Sequence, residues 1–390
     1  MVKTKTARPI RIGAHRRQRP SPRSGRGAVW TGLFLLLLVV AAAVSRDLWA
    51  DLAGGLLGLG RQALPQGRVL WTAEVAAGAL FCLDSSGTAY LAYEPPGGAP
   101  PAPRTRVVAV SASGSEESLA DVSGSPLALG LEEVEEVPAG ETDGESPPTR
   151  SLRVVLVGTG GGDLVSEELL WLEPLGSGDG AEVAHRTERA VVTSAAAHAD
   201  GPSVVAGLYV PDPAGEGVPE GRVIALGPAG QELWAAKMDR RPVHRVAARP
   251  GTGFIAAATP ERVTLFDSQG HLLWSKRFRS GVTDLALQSH GGPAVVSAGR
   301  LLSLDRRGNL VWRKEAETGI TALSCAADRI AVAAGDGVVV YDENGLARWW
   351  VPCDGSPVEV SLSPCGRLVA VVVDSGTLLV AEAPGREGGR

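Results

Sequence analysis

The chain carries four cysteines, Cys82, Cys325, Cys353 and Cys365, and no two of them form the C-x-x-C pair that a zinc site or a dithiol redox centre needs. Five of the six histidines, His185, His198, His244, His271 and His290, are scattered without an H-x-H or H-x-x-x-H grouping, so a metal site would have to be assembled from remote segments. VVLVGTGGG (154–162) begins like a dinucleotide-binding turn. The third glycine of G-x-G-x-x-G falls on Asp163, however, and no helical pattern follows, so a β-hairpin turn accounts for the run. No serine stands in a G-x-S-x-G setting. Neither a catalytic set, a metal nor a cofactor is therefore expected.

The residues that do recur are of another kind. A glycine stands four positions ahead of a tryptophan in GQELW (Gly230, Trp234), GHLLW (Gly270, Trp274), GNLVW (Gly308, Trp312) and GLARW (Gly345, Trp349), with tryptophan spacings of 40, 38 and 37 residues. A fixed period of that length is the mark of a repeat architecture. Ahead of three of these glycines lies an aspartate, Asp267, Asp305 or Asp342, in a D-x-x-G turn. The Asp can hydrogen-bond the turn backbone, and the Gly tolerates a positive φ.

The elements around these turns read as strands. Residues 223–226, 263–266, 301–304 and 338–341 are short apolar or β-branched runs bounded by Gly, Asp and Ser, too short for buried helices. Each unit of about 40 residues holds four such runs, and a lone four-stranded sheet cannot bury both faces, so the units must pack on one another around an axis. Strand runs upstream (ALFCLD, TAYLAYE, RVVAVSASG; SLRVVLV, ELLWLEPLGSG; AVVTSAAA, SVVAGLYV) extend the array. At its far end only three strands remain, 358–362, 368–373 and 377–382. The missing fourth is supplied by GRVLW (Gly67, Trp71), which has the same Gly-to-Trp spacing. The expected fold is all-β: a seven-bladed β-propeller of four-stranded antiparallel blades, closed by an N-terminal strand and preceded by one transmembrane helix. Closure removes the edges that a linear array would expose.

The strand, D-x-x-G turn and terminal Trp resemble the PQQ-like branch of the β-propeller superfamily over about residues 66–390, most clearly from 189 to 352. That resemblance implies a fold and little about activity. Quinoprotein dehydrogenases of this superfamily have a larger ring and an adjacent cysteine pair; this chain has no Cys-Cys pair. The resemblance is thus to the repeat and not to the quinone site. Recurrence of Trp71, Trp234, Trp274, Trp312 and Trp349 at one place in the unit points to packing between blades rather than to an aromatic ligand site.

The first 28 residues hold nine Lys or Arg and no acid, and the run VWTGLFLLLLVVAAAV (29–44) carries no charge. This pattern is read as a cytoplasmic tail (1–28) and a type II single-pass anchor (29–45), with a linker (46–65) leading to the extracytoplasmic propeller (66–390). A cleaved signal peptide ending at Ala41–Ala43 is the competing reading. Beyond the tail, 29 Lys or Arg face 43 Asp or Glu, an acidic balance that disfavours nucleic acid as a partner. Acidic residues concentrate in an insertion at about 115–149, in which LEEVEEV reads as a strand with acidic faces or a loop, and which is either solvated or a docking surface for a basic partner or for cations. Basic residues after the tryptophans (Lys237, Lys276, Arg277, Arg313, Lys314) would blunt the outer edges or meet anionic headgroups or cell-wall polymers. Cys353 and Cys365 flank the passage between two units, where a disulfide can form, with free thiols as the alternative.

The functional expectation is a noncatalytic scaffold at the cell membrane that binds an envelope protein or ligand. The alternatives are an enzyme using the central funnel, as a hydrolase or lyase on cell-surface polymers or a degenerate quinoprotein, and a membrane sensor.

Overall fold

The computed structural model describes residues 64–384, except 77, 96–103, 135–148, 160–166, 174–180, 188–189, 198–201, 212–217 and 317–318. Residues 63–390 form one compact unit, and every regular element described in it is a strand. In chain order these are β1 (Arg68–Glu74), β2 (Leu80–Leu83), β3 (Ala89–Tyr93), β4 (Arg104–Val110), β5 (Glu116–Ser123), β6 (Ser125–Val134), β7 (Thr149–Thr159), β8 (Glu167–Glu173) and β9 (Ala181–Thr187). Next come β10 (Val191–Ala197), β11 (Val204–Val210), β12 (Glu220–Leu226), β13 (Glu232–Lys237), β14 (Arg245–Ala248), β15 (Phe254–Thr259), β16 (Arg262–Asp267), β17 (Leu272–Arg277), β18 (Asp284–Leu287) and β19 (Pro293–Ser297). The remainder are β20 (Arg300–Leu304), β21 (Leu310–Glu315), β22 (Ile320–Ala326), β23 (Arg329–Ala334), β24 (Gly337–Asp342), β25 (Ala347–Pro352), β26 (Pro357–Leu362), β27 (Leu368–Val373) and β28 (Thr377–Glu382).

The strands pair antiparallel into four-stranded sheets: β2 to β5, β6 to β9, β10 to β13, β14 to β17, β18 to β21, β22 to β25, and β26-β27-β28-β1. The innermost strands β2, β6, β10, β14, β18, β22 and β26 neighbour one another in turn, and β26 returns to β2. Six of these sheets have side chains described almost throughout, and the sheet β6 to β9 is described chiefly by its backbone. Buried apolar residues fall into clusters that each join two consecutive sheets. One sets Ala331 and Val340 against Val360 and Val371, and another sets Trp71 and Val380 against Leu83 and Val108. Middle strands such as β24 and β27 are therefore buried on both faces, whereas outermost strands such as β17 are largely exposed. The Val- and Ala-rich runs follow from this position. Small β-branched side chains fill the narrow space between two sheets, and each fully buried Val or Leu contributes about 1.5 to 3 kcal/mol.

Ring closure is made by β1 on β28, with Arg68 opposite Glu382 and Glu74 opposite Thr377. Just ahead of β1 the chain lies along the neighbouring sheet. The Gly67 amide donates to the Trp350 carbonyl at 2.9 Å, and Trp350 donates to Pro65 at 3.2 Å.

The expected fold class is corrected in its helical part. The described residues contain strands and turns but no helix long and apolar enough to cross a membrane. Their apolar runs are cut every four to eleven residues by turns, which suits strands and not spans. The anchor expected at 29–45, like the tail and most of the linker, lies outside the described residues. The acidic stretch read as an insertion is in part regular structure. Residues 116–123 form β5, the outer edge of one sheet, and 125–134 form β6, the innermost strand of the next; 135–148 lie outside the described residues. An outer edge accepts Glu116, Glu117 and Asp121 because it faces water. All four cysteines are free thiols, so Cys353 and Cys365 are not bridged.

Candidate functional site

The recurring Asp, Gly and Trp act together at the junctions between sheets. Oδ1 of Asp267 accepts the amides of Gln269 and His271, Oδ1 of Asp305 those of Arg307 and Asn309, and Oδ1 of Asp342 those of Asn344 and Leu346. Asn309 and these amides hold the Asp305 carboxyl below its ordinary range. At Asp342, burial pulls upward but is outweighed by the amides and the Arg348 guanidinium. Each turn ends on a glycine at positive φ, +84° at Gly270, +78° at Gly308 and +76° at Gly345.

The tryptophan of the preceding sheet seats on that glycine. A Cβ on Gly270 would lie 2.5 Å from Trp234, on Gly308 3.0 Å from Trp274, on Gly345 2.8 Å from Trp312, and on Gly67 2.7 Å from Trp349. Indole N–H groups of Trp234, Trp274 and Trp312 donate to the carbonyls of Ser268, Arg306 and Glu343 at 3.0, 3.0 and 2.6 Å. The repeated residues thus form a latch from one sheet to the next, and Gly serves two needs there, positive φ and close approach.

Two latch members escaped the sequence reading. The Trp71 indole donates to the carbonyl of Gly87, which ends the turn Asp84-Ser-Ser-Gly87, where Asp84 Oδ1 accepts the amides of Ser86 and Thr88. Its D-x-x-G spacing was the available signal, but it lies at the first hairpin of its unit and not the third. Between β9 and the turn ending at Gly230, His185 replaces tryptophan: its Nδ1 lies 2.9 Å from the Gly230 carbonyl oxygen. The other described histidines are dispersed. His271 pairs with Asp267 at 2.9 Å, His290 Nδ1 accepts the Gly292 amide, and His198 lies outside the described residues. Among the described residues no group of three His, Cys, Asp or Glu is placed to hold a metal.

A polar cluster not anticipated from sequence lies at one end of the innermost strands. Arg245 and Asp284 each open the ladder of their strand, while Ala322 and Glu359 follow a bulge at the equivalent place in theirs. Arg245 Nε donates to Asp284 Oδ1 at 3.0 Å. Glu359 lies within electrostatic reach of both, although its sheet and that of Arg245 are not neighbours. Burial pushes the Glu359 carboxyl up to about 7; Arg245 opposes that shift and Asp284 adds to it. Burial also raises Asp284 against the pull of Arg245. Beside them His244 is pressed toward its neutral form by burial and by Arg245. Its ring nitrogens are shielded, with the Val282 backbone near but no bond of full geometry. At the opposite end of these strands Arg249 donates to the Ala327 carbonyl at 3.0 Å, and burial pushes the adjacent Cys325 thiol up to about 12, which makes it a poor nucleophile. This arrangement concentrates charge at the ends of the innermost strands.

The outer rim has its own pattern. Directly after the turn glycines, apolar side chains are exposed: Leu233, Leu272 and Leu273, Leu310 and Val311, Leu346, and Val69 and Leu70 after Gly67.

Residues 219–386, less than half of the chain, match the family model described as outer membrane protein assembly factor BamB, a PQQ-type repeat. Fold and family match together support the PQQ-like propeller superfamily. A search of curated proteins gave no match. Among solved structures, a chain from the crystal structure of BBS1N in complex with ARL6DN aligns with TM-score 0.55 and 14% identity, covering 83% of this chain and 98% of that one. A chain of the Mitotic Checkpoint Complex aligns with TM-score 0.56 and 13% identity, covering 81% and 92%. At such identities these two likenesses concern the fold alone. The propeller architecture is thus shared with chains of only 13 to 14% identity.

Proposed function

We propose that the protein is a noncatalytic scaffold, a propeller held on the extracytoplasmic side of the cell membrane by residues 29–45, where it binds an envelope protein. The observation that carries this reading is the match of residues 219–386 to a family described as an outer membrane assembly factor. The basic tail followed by an uncharged apolar run supports the anchor and its orientation. In this reading the Trp–Gly–Asp latches keep the ring rigid, so that loops at the two ends of the channel present fixed contacts to a partner.

Two measurements test it. Protease added to spheroplasts should digest the propeller while an N-terminal epitope stays protected, and protection of the C-terminus would overturn the orientation. Full-length protein, cross-linked in cells and purified from membranes, should carry one envelope protein at fixed stoichiometry. It should show no turnover of an artificial electron acceptor with pyrroloquinoline quinone and calcium, and saturable quinone binding with turnover would overturn the scaffold.

A further inference from the structure

The apolar side chains of the outer rim stand where propeller edges are ordinarily polar. Leu272 and Leu273 are 60% and 44% exposed, and Leu310 and Val311 are 49% and 55% exposed. Both pairs lie on outermost strands whose outer edges pair with no further strand among the described residues, the place where soluble proteins put charge to prevent association. The latch joins the two pairs spatially. Trp274, which follows Leu272 and Leu273, seats on Gly308, two residues ahead of Leu310. Exposed apolar side chains recur at Leu346 and at Val69 and Leu70 of β1, so the edges of these sheets carry a belt of apolar positions on the side of the D-x-x-G turns.

The belt is edged with positive charge. Residues 306–314 hold Arg306, Arg307, Arg313 and Lys314 and no acid. Of the carboxylates that flank this run in sequence, Asp305 takes the amides of its own turn and interacts electrostatically with Arg307, and Glu315 pairs with Arg300 at 2.8 Å. Exposed apolar side chains flanked by Lys and Arg suit a lipid surface that bears anionic headgroups.

The chain outside the described residues favours the same partner. It joins the ring at this edge, where residues 65–67 lie along Trp350 and run into β1. Upstream, the 19 residues from Ser45 to Ala63 separate it from the uncharged apolar run. Nineteen residues of random coil would span about 25 Å root-mean-square, and tethering at such a distance gives effective concentrations in the millimolar range. Contacts too weak to bind alone would be populated beside a bilayer.

From this we infer that the apolar belt, with the cations of residues 306–314, is a surface that docks on an anionic lipid bilayer. The inference rests in part on the anchored reading given above, and its test is made without the anchor. The compact unit 63–390, which contains every described strand and closes its own ring through β1, would be mixed with vesicles of phosphatidylcholine alone or with 30 mol% phosphatidylglycerol. It should sediment with the anionic vesicles at low salt, at least ten-fold more weakly with the neutral ones, and lose binding at 0.5 M NaCl. Leu273→Ser with Val311→Ser should cut the partition ten-fold or more, as should Arg306→Glu with Arg313→Glu. Unchanged circular dichroism and melting would exclude unfolding as the cause, and the charge pair, on exposed residues, provides a second variant if the apolar one fails to fold. Absence of sedimentation at millimolar anionic lipid would overturn the inference. So would a belt variant that binds as well as the parent, or a parent that dimerises through the belt and loses only dimerisation in the variant. The anchor is judged separately, by the mass of the mature N-terminus from membranes, so the two readings can fail independently.

Discussion

Replacing Glu359 by glutamine should stabilise the protein at alkaline pH and leave it almost unchanged in mild acid. The carboxyl lies on the innermost strand β26 among buried groups, and Arg245, the cation that acts on it among the described residues, is already bonded to Asp284. Its pKa is pushed from the ordinary 4.5 to about 7. Between those values the folded protein keeps a proton that the unfolded chain has released, so raising the pH draws the equilibrium toward the unfolded state. The loss begins near pH 4.5, grows through neutrality and levels off above pH 7 at about 3 kcal/mol, using 1.36 kcal/mol for each pH unit. Glutamine keeps the shape and cannot ionise, so it escapes the penalty. Urea denaturation of both proteins should give unfolding free energies within about 1 kcal/mol of each other at pH 5, with the variant ahead by about 3 kcal/mol at pH 8. Asp267, Asp305 and Asp342, whose pKa values are lowered, contribute with the opposite sign, but equally in both proteins, and cancel from the difference. Parallel pH profiles for the two proteins would refute the reasoning, because Glu359 would then be as well solvated folded as unfolded.

The latch predicts a graded set of tryptophan effects. Trp349 is 3% exposed, and its replacement by alanine should cost about 3 to 5 kcal/mol, whereas the half-buried Trp274 should cost roughly half as much, read by the same denaturation. Equal losses at both would show that the latch and not burial sets the energy. Removing residues 1–76 deletes β1 and leaves β28 as an open edge, so that protein should aggregate or melt well below one lacking only 1–62; equal melting would mean that β1 does not close the ring.

Much of the architecture was legible in the chain. The Gly-to-Trp interval and the D-x-x-G turns are local devices: the hydrogen bonds that Asp305 accepts from the amides two and four positions on, and the positive φ of Gly308, depend only on neighbours in sequence. Periodicity then implied stacked sheets, and the three strands 358–382 called for a fourth, which β1 supplies. What needed the tertiary structure is the identity of partners across sheets. Trp274 lies 34 residues before the glycine it covers, and nothing in the residue order favours that glycine over Gly270 in its own unit. His185 in place of a tryptophan was invisible for the same reason, since its role is fixed by the carbonyl of Gly230 in the next sheet. The channel cluster is the extreme case. Arg245, Asp284 and Glu359 lie up to 114 residues apart, carry no motif, and meet only because equivalent places on innermost strands converge on one axis. Turn chemistry and strand period are short-range and are written in the chain. Which charges face one another, and which lose their water, is decided by closing the ring.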